Sequence, residues 1–435
     1  MMSTKGAADS IIKRSTRVLH NGGIIPMSDE MRQNLVKQNE LFAAEALRVL
    51  GFAFKQYENE TEIDMDENDL IYAGMMGMID PPREEVRESV KQCHEAGIIV
   101  KMITGDHKIT GGAIAEQLGI MKKGDEVLDG NDLNNLSDDE LKEKVKTVNV
   151  YARVSPEHKV RIVTAIKENN NIVAMTGDGV NDAPSLKKAD IGIAMGITGT
   201  DVSKEAADMI LTDDNFVSIT AAVEQGRTIY GNIRKVTGYL LGCNIGEILI
   251  ILMAILFGLP VPLVATQLLF VNLLTDAFPA FALGMEEKEK GIMRRPPRDP
   301  QEPIINKSMK GMVSLRALFL SAGTLGAFLY GFIKYDYAIA ISMCFFTLVA
   351  AELLISYASR IEVFSGFGRG LFSNTFLNIS MGISMGILLA VMYVPFLNDL
   401  FTTVPFGGPQ FIFSTLMVLT IVFGCEFSKK LLYKG

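Results

Sequence analysis

Cysteine is scarce and scattered. Cys93, Cys243, Cys344 and Cys425 lie far apart, with no CxxC spacing and no cluster of histidines beside them. That excludes a disulfide framework and a zinc motif, and it implies reduced thiols. Positive charge is also short: 42 lysines and arginines stand against 50 aspartates and glutamates, a formal net charge of −8. With no basic patch interleaved with aromatics, a nucleic-acid partner is excluded. The opening MMSTKGAADS has no apolar stretch, so no signal peptide is expected and membrane insertion must come from later segments.

Long apolar runs are what the chain has instead. Its 435 residues exceed one ordinary core, and length suggests about three domains. Up to about residue 235 the composition is that of a soluble α/β protein, and beyond about 237 apolar stretches dominate. Six of them, at about 237–258, 262–284, 312–333, 336–357, 376–396 and 409–427, come near the ~20 residues a bilayer core demands. Packed together in one half of the chain, they argue for an all-α transmembrane bundle of six helices rather than buried helices of a soluble enzyme. LFGLPVPLVAT joins the first two as a tight turn. Between the second and third, MEEKEKGIMRRPPRDPQEPIINKSMK is expected to be a solvated loop. It carries Arg294, Arg295, Arg298, Lys307 and Lys310, and the tail reads SKKLLYKG, whereas the opposite loops offer only Lys334. The positive-inside rule puts that loop, the tail and the soluble region in the cytoplasm.

The soluble half alternates short apolar strands with helical segments. GIIVKMIT (97–104), NVYARV (149–154), NIVAMT (171–176) and ADIGIAM (189–195) are expected strands. Such alternation predicts a Rossmann-type parallel sheet with helices on both faces and ligands beyond the carboxyl ends of its strands. TGDH, SPEHK and GDGVND all fall at those ends, so three polar clusters should converge there. The acidic run KQYENETEIDMDENDL (55–70) is expected to be a solvated surface loop.

Those clusters suit phosphate chemistry. Asp178 and Asp182 offer hard oxygen ligands for Mg²⁺, and Gly177 and Gly179 let backbone amides approach a phosphate. A lone GDG would read as an Asx-type turn capping the next helix, but the surrounding stretch is longer than that reading needs. Thr104, Gly105 and Asp106 add a hydroxyl and amides, and Lys159 adds a point charge, although a single lysine at a helix start is usually just solvated. No carboxylate nucleophile in a strand-end turn completes the set.

In the apolar half, carboxylates are costly and mark function. Asn244 and Glu247 share one helical face, as do Asn272, Thr275 and Asp276, with Pro279 loosening the helix just beyond. Glu352 lies alone among apolar neighbours. Asparagine or threonine alone would serve as glue between helices. Three carboxylates without an intramembrane Lys or Arg partner fit better with oxygen ligands for a dehydrated cation such as Ca²⁺.

IDPPREEVRESV, MITGDH, YARVSPEHK and MTGDGVNDAPSLKKADIGIAMG (175–196), in that order along the chain, resemble the P-type cation-transporting ATPases. The resemblance runs from about Thr4 to the end. It implies an α/β haloacid-dehalogenase-like phosphorylation domain in which Asp178 helps bind Mg²⁺, Asn181 and Asp182 organise the site, Thr104 and Gly105 hold the transferred phosphoryl group and Lys159 neutralises it. DPPR (80–83) resembles the hinge returning from the nucleotide domain. TKGA (4–7) and ALRVLGFA (46–53) resemble that domain's end, which makes Lys5 and Arg48 candidates for ATP contact, as is Arg153 of YARVSPEHK. NIGE and VNLLTDAFPA are similar to the fifth and sixth helices of sarcoplasmic-reticulum-type calcium pumps. That likeness implies one calcium site from Asn244, Glu247, Thr275, Asp276 and Glu352, and half of a second from Asn272 and Asp276. Ligand type alone also admits manganese or sodium.

The family's DKTGT, TGE and PEGL motifs are absent. The expected organisation is therefore part of a nucleotide domain (1–78), a phosphorylation domain without its nucleophile (79–235) and a transmembrane domain (236–435). The expected function is ATP-driven Ca²⁺ transport through an aspartyl phosphate, with the N-terminal half of the pump and membrane lipid as partners. Short loops and the lack of an appended tail point to a bacterial plasma membrane. The alternatives are a non-enzymatic truncated membrane protein that binds cations or associates with full-length pumps, and a phosphatase-like domain anchored by a bundle.

Overall fold

The computed structural model describes residues 1–45, 47–57, 66–78, 83–361 and 373–432. Residues 58–65 of the expected loop (55–70), Ala46 of ALRVLGFA, the first three residues of the expected DPPR hinge and the last three of the tail lie outside them. The chain divides into two compact units, Met1–Val223 with Met293–Pro297, and Glu224–Ile292 with Arg298–Gly435.

The first unit begins with a sheet that the sequence pattern does not announce. Strands β1 (Met2–Ala7), β2 (Ser15–His20), β3 (Gly23–Pro26), β4 (Arg48–Lys55) and β5 (Leu70–Met78) pair in the order β1-β4-β5-β2-β3. Only β2 and β5 run parallel. The short helix Ala8–Arg14 buries Ile11 and Ile12 against Ala53, Leu70 and Tyr72. It presses so closely that a Cβ on Gly51 would lie 3.0 Å from the Ala8 Cα.

Six further strands follow: β6 (Met102–Ile103), β7 (Val127–Asp129), β8 (Val150–Ala152), β9 (Ala174–Gly177), β10 (Ile191–Met195) and β11 (Met209–Leu211). All their pairings are parallel, as the alternation predicts. They form two three-stranded sheets, β6-β8-β7 and β11-β10-β9, rather than one, and the expected strand over 97–104 shrinks to two residues. The cause lies at the edges. β6 and β9 each have one unpaired side, and Ala174 and Thr176 of β9 are exposed, whereas all of β8 is buried. The helix Pro156–Glu168 holds the two sheets together: Ile162 packs beside Tyr151 and Leu141, and Val163 packs beside Met175 and Leu186. Ile103 of β6 touches both clusters. Ser155 caps this helix by accepting from His158 N, and Pro156 starts it with the φ a first turn needs.

Six helices among the described residues are long and apolar enough to cross a membrane: Phe216–Leu256, whose residues from Glu224 on belong to the second unit, and, wholly within that unit, Ala265–Gly284, Lys307–Lys334, Tyr337–Ala358, Thr375–Tyr393 and Gly408–Leu432. Each matches an expected run. The first begins at Phe216 rather than about 237, because the residues before 237 are helical but charged and an apolar scan does not register them. The second is interrupted by one π turn, Val271–Thr275, where Asp276 N reaches back five residues to Val271 O at 3.0 Å. The fourth span is the centre of the bundle: from Ala340 to Ala358 all but Leu354 are buried.

The loop after the second span is not simply solvated, contrary to expectation. Asn232 of the first helix donates to Gly284 O and Glu286 O, and Lys235 pairs with Glu289 at 3.0 Å. Glu286 is buried and accepts two bonds from Arg360, at 2.6 and 3.0 Å, and one from Asn374 at 2.9 Å. Burial works to raise the Glu286 carboxyl, but the bonds from Arg360 and Asn374 prevail and hold it below the usual glutamate value. A carboxyl lowered in this way stabilises the fold fully above its unfolded value of about 4.3 and loses the contribution as pH falls through the folded value. Glu286→Gln should therefore cost about 3–5 kcal/mol at neutral pH, since it removes one charge of a buried, doubly hydrogen-bonded ion pair. Thermal unfolding in detergent micelles checks this: the variant should melt lower at pH 7, and the gap to wild type should close on acidification below about pH 4. Equal melting at pH 7 would mean that the pair does not hold the loop.

Candidate functional site

Two groups of expected residues need placing, one in each unit. In the first, Thr104 follows β6, Lys159 lies in the first turn of the helix after β8, and Asp178 and Asp182 follow β9. Each stands beyond the carboxyl end of a parallel strand. Hydrogen bonds tie the clusters together: Val154 N donates to Thr104 O (3.4 Å) and Arg153 N to Asp106 O (3.1 Å). Lys159 Nζ crosses to Asp182 Oδ1 at 2.5 Å. The expected convergence is thus present, with Lys159 as the link between the two sheets.

Asp182 is nine-tenths buried and fully engaged. Its Oδ2 accepts from Asp178 N (3.3 Å) and Gly179 N (3.2 Å), so the carboxylate closes the turn that presents Asp178. Gly177 makes this possible, because a Cβ there would lie 2.4 Å from the Asp182 Cβ. The Asp178 peptide oxygen is held by Thr200 N (2.8 Å) and Ser203 Oγ (3.1 Å), two braces the sequence did not flag. The Asp178 carboxylate itself is exposed and forms no hydrogen bond among the described residues. Asn181 is exposed on the same turn. Thr104 Oγ1 donates to Asp106 Oδ2 (3.0 Å) and accepts from Asp106 N (3.1 Å), while Gly105 stands open with no atom near its would-be Cβ. Nearby, burial and the charge of Arg153 hold the His107 imidazole below its usual value.

Lys5 and Arg48 lie on β1 and β4, where Lys5 sits opposite Phe52. Alternation puts Lys5, Phe52 and Arg48 on one face of the sheet, the face away from the helix Ala8–Arg14. Both charged residues are exposed. Arg153 is not grouped with them. It takes a left-handed backbone (φ 46°) and reaches Asp9, on that helix, at 3.5 Å.

In the second unit the expected cation ligands do meet. Asn272 Nδ2 donates to Glu247 Oε2 (2.8 Å) and to Leu268 O, and Asn244 Nδ2 donates to Leu240 O (2.8 Å). Both amides therefore keep their oxygens free. Thr275 donates to Val271 O (2.9 Å). The π turn spoils the single face expected for Asn272, Thr275 and Asp276: the last two are buried and Asn272 is exposed. Glu247, Asp276 and Glu352 are 5 %, 1 % and 0 % exposed. Four of their oxygens, Glu247 Oε1, Asp276 Oδ2 and both of Glu352, have no hydrogen-bond partner. No ion pair reaches any of the three among the described residues. Arg316, the buried arginine of the third span, gives its Nη1 to Gly238 O instead.

Two residues here escaped the sequence reading. Tyr239 donates its hydroxyl to Asp276 Oδ1 at 2.9 Å. The Cys243 sulfur lies within 4.8 Å of carboxylate oxygens of Asp276 and Glu352. The signal was there: Tyr239, Cys243 and Glu247 follow one another at i, i+4 spacing and so share a helix stripe.

Comparison with known proteins identifies the family. Residues 1–85 match the family described as P-type ATPase, cytoplasmic domain N, and residues 260–431 match Cation transporting ATPase, C-terminus. A calcium-transporting ATPase of Bacillus subtilis is 45 % identical over 405 residues, covering 92 % of this chain and 45 % of that protein. Calcium-transporting ATPase 1 of Bacillus cereus is 44 % identical over 417 residues (92 % and 47 %), and that of Lactococcus lactis is 41 % identical over 430 (98 % and 49 %). The chain spans about half the length of the curated relatives it matches. With both family matches and these identities along nearly all of its length, it belongs to the P-type cation-transporting ATPases.

Proposed function

We propose that this chain carries the cation site and most of the phosphate site of an ATP-driven Ca²⁺ pump working through an aspartyl phosphate. The observation that carries the reading is the set of four partnerless carboxylate oxygens on three buried side chains. Ca²⁺ takes 6–8 oxygens in flexible geometry, and the free amide oxygens of Asn244 and Asn272 and the Thr275 hydroxyl add to those four. In this reading Asn244, Glu247, Thr275, Asp276 and Glu352 enclose one ion, and Asn272 and Asp276 supply half of a second site.

The phosphate side is of the haloacid-dehalogenase type. The open Asp178 carboxylate fits Mg²⁺, and Asp182 does not, being occupied by Lys159 and two amides; the ion would supply charge neutralisation at the phosphoryl oxygens. Asp182 instead fixes the turn and aims Lys159, whose charge balances the phosphoryl group. Thr104 and the unhindered Gly105 hold its oxygens. Lys5 and Arg48 receive the nucleotide on their shared sheet face, whereas Arg153 serves the Asp9 contact. The phosphorylated aspartate comes from a segment outside this sequence. The open edges of β6 and β9, both ending in phosphate-type turns, suit a parallel strand entering between them. The positive charge of the 285–310 loop favours a cytoplasmic placement for the soluble unit, in a bacterial plasma membrane.

Binding of ⁴⁵Ca²⁺ to the full chain in lipid nanodiscs tests the cation site. Glu247→Gln and Glu352→Gln should each weaken it by at least about tenfold, and undiminished binding in both would remove the assignment. For the phosphate site, co-expression with a polypeptide carrying DKTGT should give a Ca²⁺-dependent, acid-stable phosphoenzyme. Lys159→Met should slow its formation by about 10²–10³-fold. Gly177→Ala should act in the same direction, because the added methyl displaces Asp182. A phosphoenzyme that forms at the wild-type rate in both variants would exclude this site.

A further inference from the structure

Resting on the cation site just proposed, we infer that Cys243 is a sulfur ligand in it, so that the site also takes a thiophilic divalent ion such as Zn²⁺ or Cd²⁺. The geometry is that of a three-residue cage. The Cys243 sulfur and one carboxylate oxygen each from Asp276 and Glu352 lie within 4.8 Å of one another, and all three residues are buried. Two of these side chains keep oxygens with no partner: Asp276 Oδ2 and both oxygens of Glu352. Cys243 forms no hydrogen bond among the described residues.

Ligand chemistry gives the cage its preference. Ca²⁺ and Mg²⁺ are hard ions that take oxygen and gain little from sulfur, whereas Zn²⁺ binds thiolate at about 2.3 Å and carboxylate at about 2.0–2.2 Å. A tetrahedral ion with such bonds sets its ligands roughly 3.5 Å apart. The ligand atoms here lie within 4.8 Å of one another, and side-chain rotation can absorb the remaining difference. One sulfur and two carboxylates leave a fourth position for water. Binding forms a metal–sulfur bond in place of the S–H bond and releases that proton to solvent, so the cage must be deprotonated to load. The bland role for a buried cysteine is that of a small apolar filler. Here it is the one soft atom beside oxygens that lack partners.

The missing CxxC motif is no obstacle. The three ligands come from three different spans, so linear spacing carries no trace of them.

Cd²⁺ titration of the full chain in detergent micelles tests the inference through the ultraviolet thiolate-to-cadmium charge-transfer band, a readout independent of transport. Wild type should develop the band with release of a proton. Cys243→Ser should lose it and bind Cd²⁺ at least about tenfold more weakly. A band that persists in Cys243→Ser, or never appears in wild type, overturns the proposal. Should that variant fail to fold, the chain with Cys93, Cys344 and Cys425 replaced by serine decides: its only thiol is Cys243, so a band supports the ligand and its absence rejects it. Excess Ca²⁺ separates the two readings. Suppression of the band supports both, while a Cys243-dependent band that Ca²⁺ cannot suppress upholds the sulfur ligand and rejects the shared site.

Discussion

A carboxylate buried among apolar helices must find a cation, and that requirement organises the second unit. Leaving such a charge bare costs several kcal/mol or more. Twice the chain answers from its own side chains: Glu286 meets Arg360 and Glu426 meets Lys429, and the buried Lys235 is likewise met by the half-buried Glu289. At Glu247, Asp276 and Glu352 it does not. Arg316 is buried in the same bundle yet bonds a peptide oxygen. Since the fold can pair acids with bases, the three without partners stand apart, and this contrast is what supports the proposed cation site.

The proposed phosphate side solves a related problem with the opposite outcome. Asp182 is neutralised internally by Lys159 and two peptide amides, which leaves it unable to take a ligand but well suited to fix geometry. Asp178, four residues earlier, is left open at the exposed end of the same turn. One aspartate is thus spent on structure so that the other is presented. The Lys159–Asp182 contact also bridges two sheets that share no strand, so the site and the cohesion of this part of the fold rest on one charged pair.

Much of this was legible in the residues. The six spans follow from apolar run length alone, and the parallel strands follow from short apolar runs ending in TGD, SPE and GDG. Asn244, Glu247, Asp276 and Glu352 stood out because charge and amide are rare in such runs. What the sequence hid is what depends on pairing between distant segments. β1 alternates cleanly but is only half-buried, and β2 to β5 mix buried, half-buried and exposed residues without a regular alternation, so the sheet's period is faint. The Glu286–Arg360 bond joins a loop that composition marked as solvated. The division of the parallel strands into two sheets depends on what flanks β6 and β9. The π turn at Val271–Thr275 leaves no mark in a 3.6-residue pattern, yet it decides which of Asn272, Thr275 and Asp276 is buried.

That π turn also separates the rigid from the adaptable part of the proposed cation site. Glu352 sits on the central span, packed on nearly every side, and any shift of it would disturb the whole bundle. Asp276 and Asn272 sit where the backbone ladder is already broken, and π turns of this kind recur at functional sites because local re-registration there is inexpensive. Glu247 is tied to the same turn through Asn272. In the proposed site one ligand is fixed by the core and the others lie on, or are tied to, an interrupted helix, so coordination could change without unpacking the bundle, as binding and release of an ion would require.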